Sequence, residues 1–165
     1  MDSSLVLDAA AFYTGISFLS SDEKTLCTTE EVLREVRHIK SSHSALETLM
    51  EAGKLKIRAP TAAQLEKVKA AATRTGDFTM LSPADFSIVA LALELDTVLV
   101  TDDFAVANVA SVLGLSVIPA TPGKKIKETR KWISYCSACA KTFGGQKECP
   151  ICGNMLKRKY RKITR

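Results

Sequence analysis

Four thiols sit in two knuckles near the end of this chain, Cys136-Ser-Ala-Cys139 and Cys149-Pro-Ile-Cys152, with nine residues between them. That spacing suits one tetrahedral Zn2+ bound by four thiolates, two from each knuckle. A four-cysteine set leaves no coordination position open, so such a zinc is structural rather than catalytic. Two disulfides would instead require an oxidising compartment. The opening stretch MDSSLVLDAA has no basic region ahead of its apolar residues, so no secretory signal is expected, and the expected setting is cytoplasmic. Residues 132–157 are therefore expected to form a zinc ribbon, with small hairpins flanking Gly144-Gly145. So short a stretch with so few apolar side chains would not hold a fold without its metal.

Charge separates this module from the rest. Residues 1–120 carry 10 Lys and Arg against 16 Asp and Glu, whereas residues 121–165 carry 13 against 2. The boundary falls in Thr121-Pro122-Gly123-Lys124-Lys125, where turn formers precede a charge run. The expected organisation is an acidic domain over 1–120, a basic linker over 121–131, the ribbon, and a basic tail over 158–165. The most apolar run, Phe86 to Val100, is broken by Glu94 and Asp96, which leaves it too short and too charged to span a bilayer. No membrane partner is expected, and nothing in the sequence asks for a small-molecule substrate.

The first domain alternates short apolar runs with helical patterns. Strands are expected at Leu5–Leu7, Leu26–Thr28, Leu55–Ala59, Thr97–Thr101 and Leu115–Ile118. Helices are expected over 9–16, from Thr28 to about Ile39, 44–52, from a Thr61 cap to Thr75 with Gly76 at its end, from Ser82-Pro83 to Leu95, and 104–113. Thr28 and Glu31 have capping-box spacing, as do Ser82 and Asp85. This alternation implies an α/β fold, a mainly parallel sheet flanked by helices. Cys27 reads as a small core residue.

Such sheets carry their sites at the carboxyl ends of the strands. Asp8 follows the first strand, and Asp102-Asp103 follow Thr97–Thr101. Asp85 lies on the apolar face of its helix, where a carboxylate is costly unless something pairs with it, although it could equally serve as the acid of a capping box. Glu35 borders the stripe formed by Val32, Val36 and Ile39. Each of these acids taken singly could be a cap or a surface residue. Together they converge on one sheet edge, where several carboxylates cannot all ionise without cations. One or two Mg2+ or Mn2+ ions suit such oxygen ligands, and that apparatus hydrolyses phosphodiesters. His38 and His43 read as surface residues with no role.

Basic side chains flank the knuckles. Lys124, Lys125, Lys127, Arg130 and Lys131 lie on one side, and Lys157, Arg158, Lys159, Arg161 and Lys162 on the other. Trp132, Tyr135 and Tyr160 are interleaved among them. Cations that contact phosphates and rings that stack on unpaired bases suit RNA.

The segments LVLDAAAF, TTEEVLREVR, TGDFTMLSPAD and VTDDFAVANVA resemble those of PIN-domain nucleases. Followed directly by KWISYCSAC and ECPICGNMLKRK, they are similar to the archaeal Nin-one-binding family of endoribonucleases, over about residues 1–160. The resemblance implies a PIN-like domain plus zinc ribbon that cuts precursor RNA at the 3′ end of small-subunit rRNA within a preribosome. It implies acidic metal ligands at Asp8, Glu35, Asp85 and Asp102, with Asp103 as a fifth candidate, since Thr101-Asp102-Asp103 lets either Asp take the ligand position. It also implies Asn108 as a residue lining the site, and a 5′-phosphate product. Two other readings stand beside it: a toxin-type PIN ribonuclease acting on tRNA or mRNA, and a non-catalytic RNA-binding protein.

Overall fold

The computed structural model describes residues 4–14, 24–37, 43–124, 130–144 and 146–162, with the side chains of 43–45 and 162 excepted. Lys125, Lys127, His38 and Gly145 lie outside these residues, as do the side chains of Lys162 and His43. Two sheets organise the chain.

The first sheet comprises β1 (Ser4–Leu7), β2 (Thr25–Thr28), β3 (Leu55–Ile57), β4 (Val98–Val100) and β5 (Val117–Ile118), ordered β3-β2-β1-β4-β5 with every pairing parallel. Helices α1 (Ala9–Tyr13), α2 (Glu30–Arg37), α3 (His43–Glu51), α4 (Ala62–Thr75), α5 (Pro83–Leu95) and α6 (Phe104–Val112) connect and cover it. Successive strands step from β1 to β2 to β3, then return to the other side of β1 with β4 and β5. The direction reverses between β1 and β4, and open α/β sheets bind ligands at that reversal, outside the carboxyl ends of the strands. Val6, Leu7, Leu26, Leu99 and Val100 are fully covered, and among the described residues the main apolar cluster is drawn from residues 5–120.

Most elements fall where the sequence places them, with several local differences. Helix α1 stops at Tyr13 rather than Ile16, because Thr14 takes up the C-cap and turns its hydroxyl onto the Ala10 carbonyl at 3.2 Å. Helix α2 starts one residue later than a Thr28–Glu31 capping box would have it. Thr28 is still in β2 and donates its hydroxyl to the Leu7 carbonyl at 2.9 Å, so Thr29 accepts from the Val32 amide instead, at 3.4 Å. The expected end of this helix at Ile39 lies outside the described residues. Strands β3, β4 and β5 are shorter than their apolar runs. A 3-10 turn at Phe78–Met80 joins α4 to α5.

The second sheet, β7-β6-β8, is antiparallel: β6 (Arg130–Tyr135) lies between β7 (Thr142–Phe143) and β8 (Lys157–Lys162). The basic segment expected as a tail is thus largely a strand, paired with β6 from Arg130↔Lys162 to Tyr135↔Lys157. Directly opposed residues share a face of a sheet. One face therefore carries Arg130, Trp132 and Ser134 with Arg158 and Tyr160, and the other carries Lys131, Ile133 and Tyr135 with Lys157, Lys159 and Arg161.

The first of these faces docks on the acidic domain. Asn108 of α6 is buried there and treats Arg130 as a strand neighbour would. Its Oδ1 accepts from the Arg130 amide at 2.7 Å, and its Nδ2 donates to the Arg130 carbonyl at 2.7 Å. Nδ2 also donates to the buried Asp77 at 2.6 Å. Asn108 therefore fastens the ribbon and ties it to Asp77. The Arg158 guanidinium bonds the Gly76 carbonyl at 2.8 Å, approaches Asp77 at 3.8 Å and lies 4.7 Å above the Trp132 ring. The Arg130 guanidinium is held between the rings of Phe104 and Tyr160, at 4.8 and 4.2 Å.

Gly76 is required twice at this contact. It closes α4 at φ +77°, and a Cβ there would stand 2.6 Å from the Trp132 carbonyl oxygen. Gly76→Ala is expected to destabilise the protein by about 2 kcal/mol or more, because left-handed strain adds to a backbone clash. Thermal unfolding measures the loss. A change in Trp132 emission would report the displaced ribbon, and an unchanged melting temperature would contradict this account of the junction.

Candidate active site and metal centre

Asp8 stands at the crevice between β1 and β4. Its amide continues the sheet by bonding the Val100 carbonyl at 3.0 Å, and its carboxylate caps α1 by accepting from the Ala9 amide at 2.7 Å. Thr101, at the end of β4, donates its hydroxyl to the other Asp8 oxygen at 2.5 Å. The same hydroxyl accepts from the Asp103 amide at 3.0 Å, so one buried threonine ties the two strand ends together. Asp8 is only 7 % exposed. Burial, opposed by its bonds to Thr101 and Ala9 and assisted by the charges of Asp85 and Asp103, raises its pKa from 3.8 to about 6.

Asp85 and Asp103 each do two things. Asp85 completes a capping box with Ser82: its Oδ2 accepts from the Ser82 amide at 2.7 Å, while the Ser82 hydroxyl accepts from the Asp85 amide at 3.1 Å. The bland reading of this residue is thus realised, yet Asp85 also lies within the electrostatic reach of Asp8, Glu35 and Asp103. Partial burial, and then Asp103, hold its pKa up against the Ser82 bonds. Asp103 caps α6, accepting from the Ala105 and Val106 amides at 2.6 and 3.1 Å. Glu35, on the exposed side of α2, has a pKa raised by partial desolvation and by Asp85.

Asp102 turns the other way. Its carboxylate accepts from the Ala120 and Thr121 amides at 3.0 and 3.2 Å and from the Thr121 hydroxyl, and Lys124 lies 3.6 Å off. Desolvation opposes ionisation, but these donors outweigh it and lower its pKa. The two neighbours are engaged differently: the Asp103 charge reaches Asp8 and Asp85, while Asp102 anchors the start of the linker.

Two further residues join the group. Asp77 is buried between Asn108 and Arg158; burial raises its pKa, and the Asp103 charge adds to the effect. Tyr13 is exposed at the end of α1, and its hydroxyl is made less acidic by desolvation and by Glu35 and Asp8. Gly76-Asp77 stood in the TGDF motif, but no periodicity marks Tyr13 as a neighbour of the acids.

The four knuckle thiols form a closed set. Their sulfurs all lie within 4.8 Å of one another, with Cys136–Cys152 at 3.4 Å and Cys139–Cys149 at 3.6 Å. Four sulfurs at about 2.3 Å from one zinc are about 3.8 Å apart, so the donor set fits the metal. Each knuckle is closed by a turn: the Cys136 amide bonds the Lys141 carbonyl at 2.9 Å, and the Cys149 amide bonds the Asn154 carbonyl at 2.8 Å. The Cys139 amide points at the Cys136 sulfur, and such donors bring its pKa down to about 6. No equally closed set forms among the described carboxylates. Cys27, free and buried in β2, is part of the core.

Residues 5–95 match the family model for the PIN domain of ribonuclease. The chain is 37 % identical over 158 residues to the endoribonuclease Nob1 of Pyrococcus abyssi, covering 93 % of this chain and 91 % of that one. It is 38 % identical over 160 residues to the endoribonuclease Nob1 of Methanocaldococcus jannaschii, covering 93 % of this chain and 76 % of that one. A match to ribonuclease VapC1 of Thermoplasma acidophilum, 40 % identical over 109 residues, covers 66 % of this chain and 56 % of that one. A parallel sheet with carboxylates at its switch point, a ribbon with four zinc-compatible thiols and likeness along nearly the whole length agree: the chain belongs to the Nob1 family of PIN-domain endoribonucleases.

Proposed function

We propose that this endoribonuclease is metal-dependent and cuts precursor RNA at the 3′ end of small-subunit rRNA, within a preribosome. The observation that carries the metal dependence is the convergence of Asp8, Asp85 and Asp103 on the β1–β4 crevice, where the charges of Asp85 and Asp103 raise the pKa of Asp8 and the charge of Asp103 raises that of Asp85. These three would hold one or two Mg2+ or Mn2+ ions, with Glu35 at the rim. The carboxylate oxygens and the mutual repulsion suit such hard cations. When bound, such ions supply an activated water and neutralise charge on the scissile phosphate. Asp8 is fixed by Thr101 and Ala9 and presents a set oxygen to the site. Asp103 is fixed by the start of α6. Glu35, exposed and electrostatically elevated, is placed to hold the attacking water, and the products would be a 5′-phosphate and a 3′-hydroxyl.

RNA would be held on the outward face of the second sheet, by Lys131, Lys157, Lys159 and Arg161 around Tyr135, whose ring lies 4.9 Å from the Lys159 ammonium. Lys162, the last residue of β8, would extend that contact, as would Lys124 and Lys125 of the linker. Arg130 and Arg158 act first as fasteners of the docked face. The match to a VapC ribonuclease over two thirds of the chain keeps a broader RNA substrate in view. The ribbon, which the Nob1 matches span, favours the rRNA reading.

A paired substitution tests the metal assignment. Asp103→Asn is expected to reduce Mn2+-dependent cleavage by at least about a hundredfold, a loss that disturbing even the outer shell of a metal can reach. Asp102→Asn, which loosens only a partly exposed linker anchor, is expected to stay within about fivefold. The reverse order would place Asp102 in the metal site instead.

A further inference from the structure

A second hollow lies between the end of α4, with the turn after it, and the second sheet. It has a volume of about 610 Å3, within the size range of small-ligand clefts of about 300–1,000 Å3. Its walls include Phe78 and Arg74 from the end of α4 and the turn beyond it, and Lys131, Trp132 and Phe143 from the ribbon sheet. Phe143 pairs with Ser134 on the face that carries Trp132, so both rings belong to the docked side.

Two of these three rings are braced by neighbouring rings. Phe78 is 44 % exposed, yet it is braced 5.3 Å from Phe86. Trp132 is braced edge-on by Tyr160 at 5.5 Å and capped by Arg158. Arg74 and Lys131 are both exposed, and among the described residues no acidic side chain lines the hollow. Rigid rings with cations at the rim are what a single-stranded nucleic acid needs: stacking for a base, and positive charge for the phosphates beside it. The floor at Gly76 leads directly to Asp77, whose carboxylate senses Asp103 of the catalytic edge.

We infer that this hollow between α4 and the second sheet takes an unpaired base of the RNA, beyond the nucleotides at the cut, so that the docked ribbon is part of a substrate subsite. The inference rests on the proposed RNA reading. It assigns Phe78, Phe143 and Arg74 to substrate positioning, not to chemistry.

Trp132 is the chain's single tryptophan, so its emission reports on this place alone. The zinc-loaded full chain carrying Asp8→Asn, to prevent cutting, is titrated with a single-stranded RNA of about ten nucleotides. Anisotropy of a label on the RNA is read alongside Trp132 emission. Saturable quenching that tracks the anisotropy is expected, and a blunt duplex of equal length should bind without it. Phe78→Ala and Arg74→Glu, both at exposed positions, should each weaken single-strand binding by about tenfold, the cost of losing one stacked base or its phosphate contact. In chains with Asp8 restored, the same substitutions should raise KM and leave kcat nearly unchanged. If RNA binds and is cut with no change in Trp132 emission and no effect of either substitution, the subsite is overturned while the RNA reading stands, and the hollow belongs to another occupant. If RNA neither binds nor is cut, both fall together.

Discussion

Asp8→Asn is expected to abolish cleavage while leaving RNA binding intact or slightly stronger. Asp8 is more buried than Asp85, Asp103 or Glu35, and it is oriented by Thr101 and by the first amide of α1. An asparagine keeps the shape and the cap, but it removes the negative charge a cation would need. The same change should stabilise the metal-free protein near neutral pH. The Asp8 pKa is raised on folding from 3.8 to about 6, so its charged form is disfavoured in the folded state. Stability from this group is fully present below about pH 4 and is lost as the pH rises through about 6. The difference of roughly two units corresponds to about 3 kcal/mol. The metal-free protein should therefore melt higher at pH 5 than at pH 7.5, and Asp8→Asn should flatten that slope. Divalent cations should stabilise the unsubstituted protein at pH 7.5 and not the variant. Full activity in Asp8→Asn would remove the carboxylate cluster from the chemistry altogether.

Cys136→Ser carries the second large effect, and it falls on one module. Cys136 is fully buried, its amide closes the first knuckle, and its sulfur lies 3.4 Å from Cys152. A structural zinc supplies about 10–16 kcal/mol to a small domain that has little core of its own. Losing one thiolate should unfold the second sheet, as should prolonged chelation of the native chain. The acidic domain should remain folded, because its core draws on residues 5–120 alone. Circular dichroism should show a partial loss of strand signal with cooperative unfolding retained, and RNA affinity should fall by at least about tenfold. The docked face would then be lost with its ring contacts, so Trp132 emission should shift toward that of a solvated indole. A variant that retains native Trp132 emission and one equivalent of zinc would contradict the four-cysteine site.

Strong local signals carried much of this into the sequence. Ser82-Pro83 with Asp85 three residues on specified a cap, and the structure has that capping box. The two knuckles named their own ligand geometry. The alternating apolar runs marked the parallel sheet, and Asp8, placed after the first strand, does lie at its β1–β4 crevice. What the sequence left open depends on tertiary contact. Asp102 and Asp103 are adjacent and chemically identical, and the bonds from Ala120 and Thr121, with Lys124 beside them, hold Asp102 at the linker. Asn108 sits on an apolar helix with no local mark of its partner, since its bonds to Arg130 cross 22 residues of chain. The basic segment from Lys157 resembled a solvated tail because its strand alternation is hidden. Its residues are almost all cationic on both faces, and the docked face is satisfied by rings and by Asp77 rather than by apolar packing.

The most direct test of the proposed function is to map the cut. Zinc-loaded protein with Mn2+ would be given a short RNA spanning the 3′ end of small-subunit rRNA, an unrelated RNA of equal length, and Asp8→Asn as control. A single cut at the mature 3′ end, with a 5′-phosphate on the released fragment and no cut by the variant, is the predicted result. Equal cutting of both RNAs at many positions would contradict the assignment to rRNA maturation, and would leave a ribonuclease of broader, toxin-like range.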